Sequence, residues 1–188
     1  MGRRVEHVDR TKLRITEAAM RLHTTVGPAA ASMSAVAEEA GVTRVTLYRH
    51  FSTMDALFGA CMGHWRSLHP PPDAEAWTKV ADFEPRVRRA LAELYGWYAE
   101  NAADLYPVYR DAAHTPPSNR AARRASNARM VEAMLAGLSL KPSVAQRMRA
   151  TLAHVVGFWT WRSLAVDGSL SQREAIDLAA SFVLAARG

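Results

Sequence analysis

Apolar residues recur every three or four positions along most of the chain, whereas the alternation of apolar and polar residues that marks β-strands is absent. The first apolar stripe consists of Leu13, Ile15, Ala18, Ala19 and Leu22. Such spacing gathers apolar side chains on one face of an α-helix. The pattern therefore predicts an all-α protein of about nine helices, the first of them over residues 9–26.

Residues 32–51 predict two short helices joined by a tight turn. Ser32 is a natural cap for the second helix, and Gly41 ends it because glycine adopts left-handed backbone at little cost. Thr43 then caps a third helix that runs to Phe51. Helices of under ten residues are not stable alone, so we expect them to pack against the first helix as a helix-turn-helix.

The remaining helices are predicted from apolar periodicity and from proline and glycine breaks. Ser52 or Thr53 caps a fourth helix through about residue 67, and three consecutive prolines at 70–72 cannot continue it. We predict a helix-turn-helix domain over 8–54 and an effector-binding and dimerisation domain over 55–188. The later helices are expected over 83–101, 103–113, 120–138, 142–166 and 171–187.

The third helix has a side that suits the major groove of DNA. If Leu47 and Phe51 pack inward, the polar residues between Thr43 and His50 face outward or lie at the rim. Arginine can donate two hydrogen bonds to guanine, an apolar side chain can contact the thymine methyl group, and hydroxyl or imidazole groups can contact phosphate. The arrangement predicts double-stranded DNA as a partner.

The segment from Gly41 to Phe51, followed by Asp55-Ala56-Leu57, resembles the tetracycline-repressor (TetR) family of transcriptional regulators. The resemblance covers roughly residues 10–58 and includes Ala18-Ala19, Leu22 and Gly27 upstream. It implies DNA contact by Ser32, Ser34, Thr43, Arg44, Val45, Thr46, Tyr48, Arg49 and His50.

Within that set, the resemblance implies different roles. Ser32, Ser34 and Thr43 would lie near the DNA backbone, and Ser34 is also a candidate for a base. Arg44, Val45 and Arg49 are the candidates for base edges, whereas Thr46, Tyr48 and His50 are candidates for phosphate. Arg44 could equally contact phosphate, and Tyr48 could be part of the core. Two positions depart from the family pattern: Met54 replaces a frequent lysine, and Ala35 replaces a usual acidic residue.

The helix predicted over 142–166 carries apolar residues on more than one face, and the last helix has a stripe that includes Ala175, Ala179 and Val183. A partner subunit would bury such surfaces. In the resembled family the last two helices pair with their twofold mates. A homodimer of this kind would present two recognition helices about 34 Å apart, one turn of a palindromic operator.

Aromatic and methionine residues of the C-terminal part are candidates for an apolar pocket that binds a small-molecule effector. They are Trp97, Tyr98, Tyr106, Tyr109, Met130, Met134, His154 and Phe158. Any one of them is more often plain core, and His154 in particular is more often a hydrogen-bonded core histidine.

The net charge does not indicate which part of the chain binds DNA. The net charge of +6 is divided equally, because residues 1–66 contain nine basic and six acidic residues and the remainder contains fifteen and twelve. Arg3, Arg4, Arg10, Lys12 and Arg14 could form an arm along the DNA or a solvated terminus. The single Cys61, the polar residues 1–14 and an apolar stretch of only about ten residues at 152–161 predict a cytoplasmic protein without a membrane segment.

The function predicted from the sequence is a repressor that a small molecule releases from its operator. The alternatives are a helix-turn-helix protein that responds to no ligand and an all-helical enzyme. The chain has no glycine-rich phosphate loop, no His-Glu-x-x-His and no G-x-S-x-G motif, so we expect neither catalysis nor a cofactor or metal.

Overall fold

The computed structural model describes residues 2–188, with side chains from Arg10 onward, and this part of the chain is all-α. It contains eleven α-helices, a 3₁₀ turn at Ala112–His114 and a π-helical turn at Ser163–Asp167. None of the helices described is long and apolar enough to cross a membrane. The helices are α1 Gly2–Thr25, α2 Met33–Glu39, α3 Arg44–His50, α4 Met54–Leu68, α5 Ala74–Trp77, α6 Phe83–Glu100, α7 Ala102–Arg110, α8 Pro117–Leu135, α9 Pro142–Val155, α10 Phe158–Arg162 and α11 Gln172–Ala185.

The chain folds as two compact units. The N-terminal unit contains the residues up to Pro70 together with Asn101–Ala122, and the C-terminal unit contains Pro71–Glu100 and Arg123–Gly188. The N-terminal unit therefore combines α1–α4 with α7, which is distant in sequence. Local sequence patterns predict helices but carry no signal for such a long-range association.

The core of the N-terminal unit includes a buried histidine between α1 and α4. His23 lies edge-on to Phe58, with ring centroids 4.6 Å apart, and its Nδ1 is 3.4 Å from the sulfur of Cys61. Burial lowers the pKa of His23 to about 4 and raises the pKa of Cys61 to about 12. At neutral pH both side chains are therefore uncharged and act as packing groups.

The end of α7 is fixed to the turn that follows α1. The carboxylate of Asp111 accepts hydrogen bonds from the backbone N–H of Ala29 at 3.1 Å and from the Arg110 guanidinium at 2.8 Å. Arg110 also donates to the carbonyl of Val26 at 2.8 Å. Gly27 has a φ of +96°, and a Cβ there would collide with the Asp111 carboxylate. Glycine is thus required both by the backbone angle and by the close approach.

A buried arginine organises part of the C-terminal unit. The Arg86 guanidinium donates to the carbonyls of Val80, Ala81 and Met134 at 2.8–3.2 Å, and it also donates to Ala136. Met134 and Ala136 lie at the C-terminal end of α8, where unpaired carbonyls favour a cation. The charge of Arg86 is therefore satisfied by backbone oxygens.

The single helix predicted over 142–166 is wrong, because the chain breaks at Gly157 between α9 and α10. The carbonyls exposed by the break find side-chain donors. Tyr95 Oη donates to the Val155 carbonyl at 2.9 Å, and Tyr98 Oη donates to the Val156 carbonyl at 2.8 Å. These bonds come from α6, so a local reading of residues 142–166 could not reveal them.

Candidate nucleic-acid interface

The local geometry of α2 and α3 follows directly from their capping residues. Ser32 Oγ accepts a hydrogen bond from the N–H of Ala35 at 3.2 Å, and Thr43 Oγ1 accepts one from Thr46 at 3.1 Å. Gly41, with a φ of +61°, forms the turn between the two helices. The predicted caps and turn of the helix-turn-helix are confirmed. At α4 the cap is Thr53, whose Oγ1 accepts from Ala56.

One side of α3 is anchored and the other is open. Leu47 is fully buried, and Phe51 directly after the helix is also buried. Val45, in contrast, is 80% exposed and Tyr48 is 44% exposed. The helix therefore presents to solvent large side chains that do not contribute to the core of its own unit, and this is the geometry required for contact with a groove.

The structure places most of the predicted DNA-binding residues at the surface, and two of them only partly so. Thr46 and His50 are half-buried. The exposed residues are Ser32, Ser34, Thr43, Arg44, Val45, Tyr48 and Arg49. Their roles toward DNA stay predictions.

The hydroxyl groups at the start of α3 are engaged with each other. Thr43 Oγ1 and Thr46 Oγ1 are 3.0 Å apart, within hydrogen-bond distance. Each hydroxyl retains further donor or acceptor capacity. A phosphate at this helix start could therefore be contacted without breaking the cap.

The sequence predicts that the imidazole of His50 lies at the surface and contacts phosphate, but one of its two ring nitrogens is not accessible. Its Nε2 is shielded from solvent and has no hydrogen-bond partner. Burial lowers the pKa of His50, and the nearby charges of Arg49 and Lys12 lower it further. In this conformation Nε2 is unable to reach a phosphate, so contact would require Nδ1 or a rotation of the ring.

The charges around α3 are predominantly positive and unpaired. Glu39 on α2 is engaged by Arg21 of α1 at 3.0 Å, and the Asp55 carboxylate accepts a hydrogen bond from Ser118. Arg44 and Arg49 form no ion pair with any side chain that the structure describes. Unpaired exposed guanidinium groups are available for phosphates or guanine edges.

The predicted N-terminal arm is helical where the structure describes it. Arg10, Lys12 and Arg14 lie within α1 and reach its surface, whereas the side chains of Arg3 and Arg4 lie outside the described residues. Arg10 and Arg14 line a shallow groove along α1 with Leu13 and Glu17. Lys12 points elsewhere, over the ring of Phe51.

The aromatic candidates for an effector site include a packed cluster in the C-terminal unit. The ring centroids of Tyr98 and Phe158 are 5.5 Å apart, and Trp161 lies 5.7 and 5.4 Å from them. Trp97, which is half-buried, adjoins Tyr98 at 5.5 Å. Because the Tyr98 hydroxyl is also bonded to the Val156 carbonyl, this cluster is a solid part of the core.

The other candidates are scattered. Tyr106 and Tyr109 are half-buried on α7, in the N-terminal unit, and Met134 is fully buried. His154 is exposed, so the expectation of a core histidine is wrong for the protomer. Met130 alone of the eight borders a described cavity, a groove of about 470 Å³ whose walls include Pro72, Glu75, Thr78 and Arg129.

A second open surface lies on α10, the π-helical turn and α11, in the helices whose apolar faces the sequence assigns to a partner subunit. Four large apolar side chains are exposed there: Trp159 at 47%, Val166 at 43%, Leu178 at 38% and Phe182 at 43%. The residues that share these helices but face inward, such as Trp161 and Val183, are buried. Large apolar side chains that are exposed on one protomer can be buried by a partner.

Comparison with known proteins agrees with this architecture. The family model described as bacterial regulatory proteins, tetR family, matches residues 15–61. Comparison with curated protein sequences gives no match.

Three solved structures have the same fold over nearly the whole chain. A TetR-like transcriptional regulator from Rhodococcus sp. RHA1 is 20% identical, with 93% of each chain covered and a TM-score of 0.55. A TetR-family transcriptional regulator from Mesorhizobium loti MAFF303099 is 21% identical over 95% of this chain and 96% of that one, with a TM-score of 0.59. The multidrug binding protein EbrR, complexed with imidazole, is 23% identical over 91% and 93%, with a TM-score of 0.57.

A capped, cation-rich α3 held on a three-helix base defines a helix-turn-helix protein that binds DNA. Residues 15–61 are similar to the tetR family of bacterial regulatory proteins, and the chain has the fold of TetR-like regulators along nearly its whole length.

Proposed function

We propose that this protein is a cytoplasmic, homodimeric repressor that a small molecule releases from a palindromic operator. The observation that carries the DNA-binding part is the exposure of Val45 beside Arg44 and Arg49 on a helix whose opposite side is anchored by Leu47. An apolar side chain between two unpaired guanidinium groups has no role within the protomer. It does suit a thymine methyl group flanked by guanines or phosphates.

Each predicted contact keeps its role in this proposal. Arg44, Val45 and Arg49 contact base edges, and Ser34 is a further candidate. Phosphates are contacted by the side chains that lie at the two helix starts or at the rim of α3. These are Ser32, Thr43, Thr46, Tyr48 and His50.

The homodimer forms through the second open surface, which we call the α10–α11 face and which comprises Trp159, Val166, Leu178 and Phe182. These side chains are large and apolar, and a twofold contact would bury each against its counterparts. Two copies of α3 would then be presented about 34 Å apart, which matches two half-sites of one operator.

The effector part of the proposal is supported by the similarity in fold to EbrR. EbrR is a multidrug binding protein, and its structure contains imidazole. Of the eight aromatic and methionine candidates, Met130 borders the open groove of the C-terminal unit, and we place the ligand there. Ligand binding would favour a conformer in which α4 is displaced and the two α3 helices no longer match successive grooves.

The experiment that tests DNA binding starts from a pool of random duplexes. Repeated selection on the full-length protein is expected to yield a twofold-symmetric sequence, and a gel shift should show salt-dependent binding that a scrambled duplex lacks. An all-helical enzyme, the second of the two alternatives, would select no sequence. Failure to enrich any palindrome would overturn the proposal.

The effector is tested on the complex with the selected duplex. Apolar and cationic small molecules are titrated while DNA release is followed by fluorescence anisotropy. Release by one compound class, with a reciprocal loss of its affinity in the presence of DNA, supports a ligand-responsive repressor. If no compound releases the DNA, the ligand-independent helix-turn-helix protein becomes the better description.

A further inference from the structure

Lys12 occupies a place on α1 that its charged neighbours do not share. Its Nζ lies 5.7 Å from the ring centroid of Phe51, the residue that follows α3. Arg10 and Arg14 are each two positions away, and two positions correspond to about 200° around a helix. Both instead line the separate groove with Glu17. One helix therefore directs one cation toward α3 and two cations away from it.

The ammonium group of Lys12 lies over an aromatic ring and is not paired with a described carboxylate. It forms no ion pair with a described side chain, and its described contact is the face of the Phe51 ring. Phe51 is itself buried, so its ring is packed into the core. A cation over a fixed aromatic ring keeps its full charge while giving up some of its freedom.

Other cationic groups lie in the same region. Burial lowers the pKa of His50, and the charges of Arg49 and Lys12 lower it further, so the three side chains form one group around the last turn of α3. Arg49 is exposed and, like Lys12, has no described carboxylate partner. The C-terminal end of α3 is thus surrounded by positive charge contributed by α1 as well as by α3.

We propose that Lys12 is a DNA-phosphate contact, which reaches from α1 to the sugar-phosphate backbone that passes the end of α3. The inference rests on the proposed function, because it requires α3 to lie in a major groove. A helix in that groove has backbone on both sides, and a cation fixed at its end meets phosphate oxygens. The cation–π contact already restricts the position of the ammonium group, so the side chain loses less conformational entropy when it binds a phosphate.

A purely structural role makes a different prediction. In this alternative, the whole role of Lys12 is to stabilise the C-terminal end of α3, where a positive charge complements the helix dipole. In that case its removal would lower the thermal stability of the protein but would leave the number of neutralised phosphates unchanged. Salt dependence of DNA binding separates the two roles, because each neutralised phosphate contributes to the slope.

The test compares Lys12→Gln with Arg14→Gln, which removes the same charge from the opposite side of the same helix. Affinity for the selected duplex and for a scrambled duplex is measured between about 50 and 200 mM salt, and thermal unfolding is recorded in parallel. Lys12→Gln is expected to lower the slope by about 0.9 for each phosphate that the variant no longer neutralises. For each such phosphate, the loss of affinity between about 50 and 200 mM salt is expected to be about 3–4-fold smaller in the variant than in the wild type.

Arg14→Gln should keep the wild-type slope, and Lys12→Arg should restore it because charge and ring contact are both retained. The weakening in Lys12→Gln should be similar on both duplexes, as expected of phosphate rather than base contact. A slope that is unchanged in Lys12→Gln, or lowered equally in Arg14→Gln, overturns the inference while specific binding by the wild type still stands. If the wild type shows no specific binding at all, the proposed function fails and this inference fails with it.

Discussion

Two short helices, α3 and α10, each expose a large apolar side chain, but the surroundings of those side chains differ. Val45 on α3 is 80% exposed and lies among the cations Arg44 and Arg49. Trp159 on α10 is 47% exposed and adjoins the buried ring of Phe158, with 5.5 Å between the ring centroids, and Leu178 and Phe182 of α11 are also exposed. Both helices are anchored from behind, α3 by Leu47 and α10 by the packed ring of Trp161.

The difference shows how the setting of an exposed apolar residue indicates its partner. A valine between unpaired guanidinium groups suits an anionic surface that also carries methyl groups, as the major groove does. A tryptophan among apolar neighbours instead suits another apolar surface, and such residues are frequent hot spots of protein–protein interfaces. The exposed fraction alone would not indicate which residue contacts DNA and which contacts protein. Val45 is the more exposed of the two, yet it is the one that suits a charged partner.

The largest expected effect follows from placing a charge in the α10–α11 face. Trp159→Asp removes a central aromatic residue and would bury a carboxylate without a partner, so we expect the dimer to weaken by more than about 2 kcal/mol per substituted site. Sedimentation equilibrium should then show monomers at concentrations where the wild type is dimeric.

The matched control for that substitution is Leu13→Asp, at a side chain that is 46% exposed on α1 of the other unit. It adds the same charge at a similar exposure, and the protein is expected to remain a dimer. Monomers in both variants, or dimers in both, would remove the distinction that we draw between the two surfaces.

A smaller effect is expected from Arg44→Ala on the α3 surface. Without this base contact, binding to the selected operator should weaken by roughly 1–3 kcal/mol, and the preference at one base pair of each half-site should relax. Affinity is measured on a set of duplexes substituted one base pair at a time. The dimer itself should be unaffected, which is the reverse of the Trp159 result.

The controls for Arg44 lie on the same helix. Arg49→Ala should relax preference at a different base pair if both arginines read bases. If Arg44→Ala instead weakens binding equally on every duplex, Arg44 contacts phosphate and Val45 is left as the base contact of the pair.

The helix-turn-helix could be predicted from sequence because its determinants are local. Ser32 and Thr43 cap helices that begin at the next residue, and Gly41 supplies the positive φ of the turn. Each of these signals lies within four residues of the feature that it determines. The capping box of α11, in which Ser171 and Glu174 satisfy each other's backbone, is a local feature of the same kind.

The features that could not be predicted depend on residues far apart in sequence. The break at Gly157 is stabilised by tyrosines from α6, and Asp111 binds the N–H of Ala29 across 82 positions. The placement of Lys12 against Phe51 also joins two helices. No periodicity or cap reveals such contacts, because they arise only when the helices pack.

The two surfaces also rest on units that differ in their response to acid. His23, behind the helix-turn-helix, has a pKa lowered to about 4 by burial, against an ordinary value of 6.5. In the C-terminal unit, hydrogen bonds from Arg149 and Ser171 lower the pKa of Glu132 and Glu174 from an ordinary value of 4.5. Those carboxylates therefore keep their charge to a lower pH than an ordinary glutamate does.

Mild acid should therefore destabilise the N-terminal unit first, and this is the smallest effect that we predict. Between pH 6.5 and 4 the unfolded chain binds a proton at His23 that the folded chain excludes, so the free energy of unfolding falls as the pH falls. Urea titrations monitored by hydrogen exchange in α1 and α4 should show a decrease of about 1 kcal/mol between about pH 7 and 5.5, while α11 changes little.

In His23→Gln, the decrease over this window should disappear even if the variant is less stable at neutral pH. An unchanged pH dependence in that variant would assign the acid sensitivity to other groups. In that case the chemical difference between the α3 surface and the α10–α11 face would not be accompanied by a difference in acid stability between the two units.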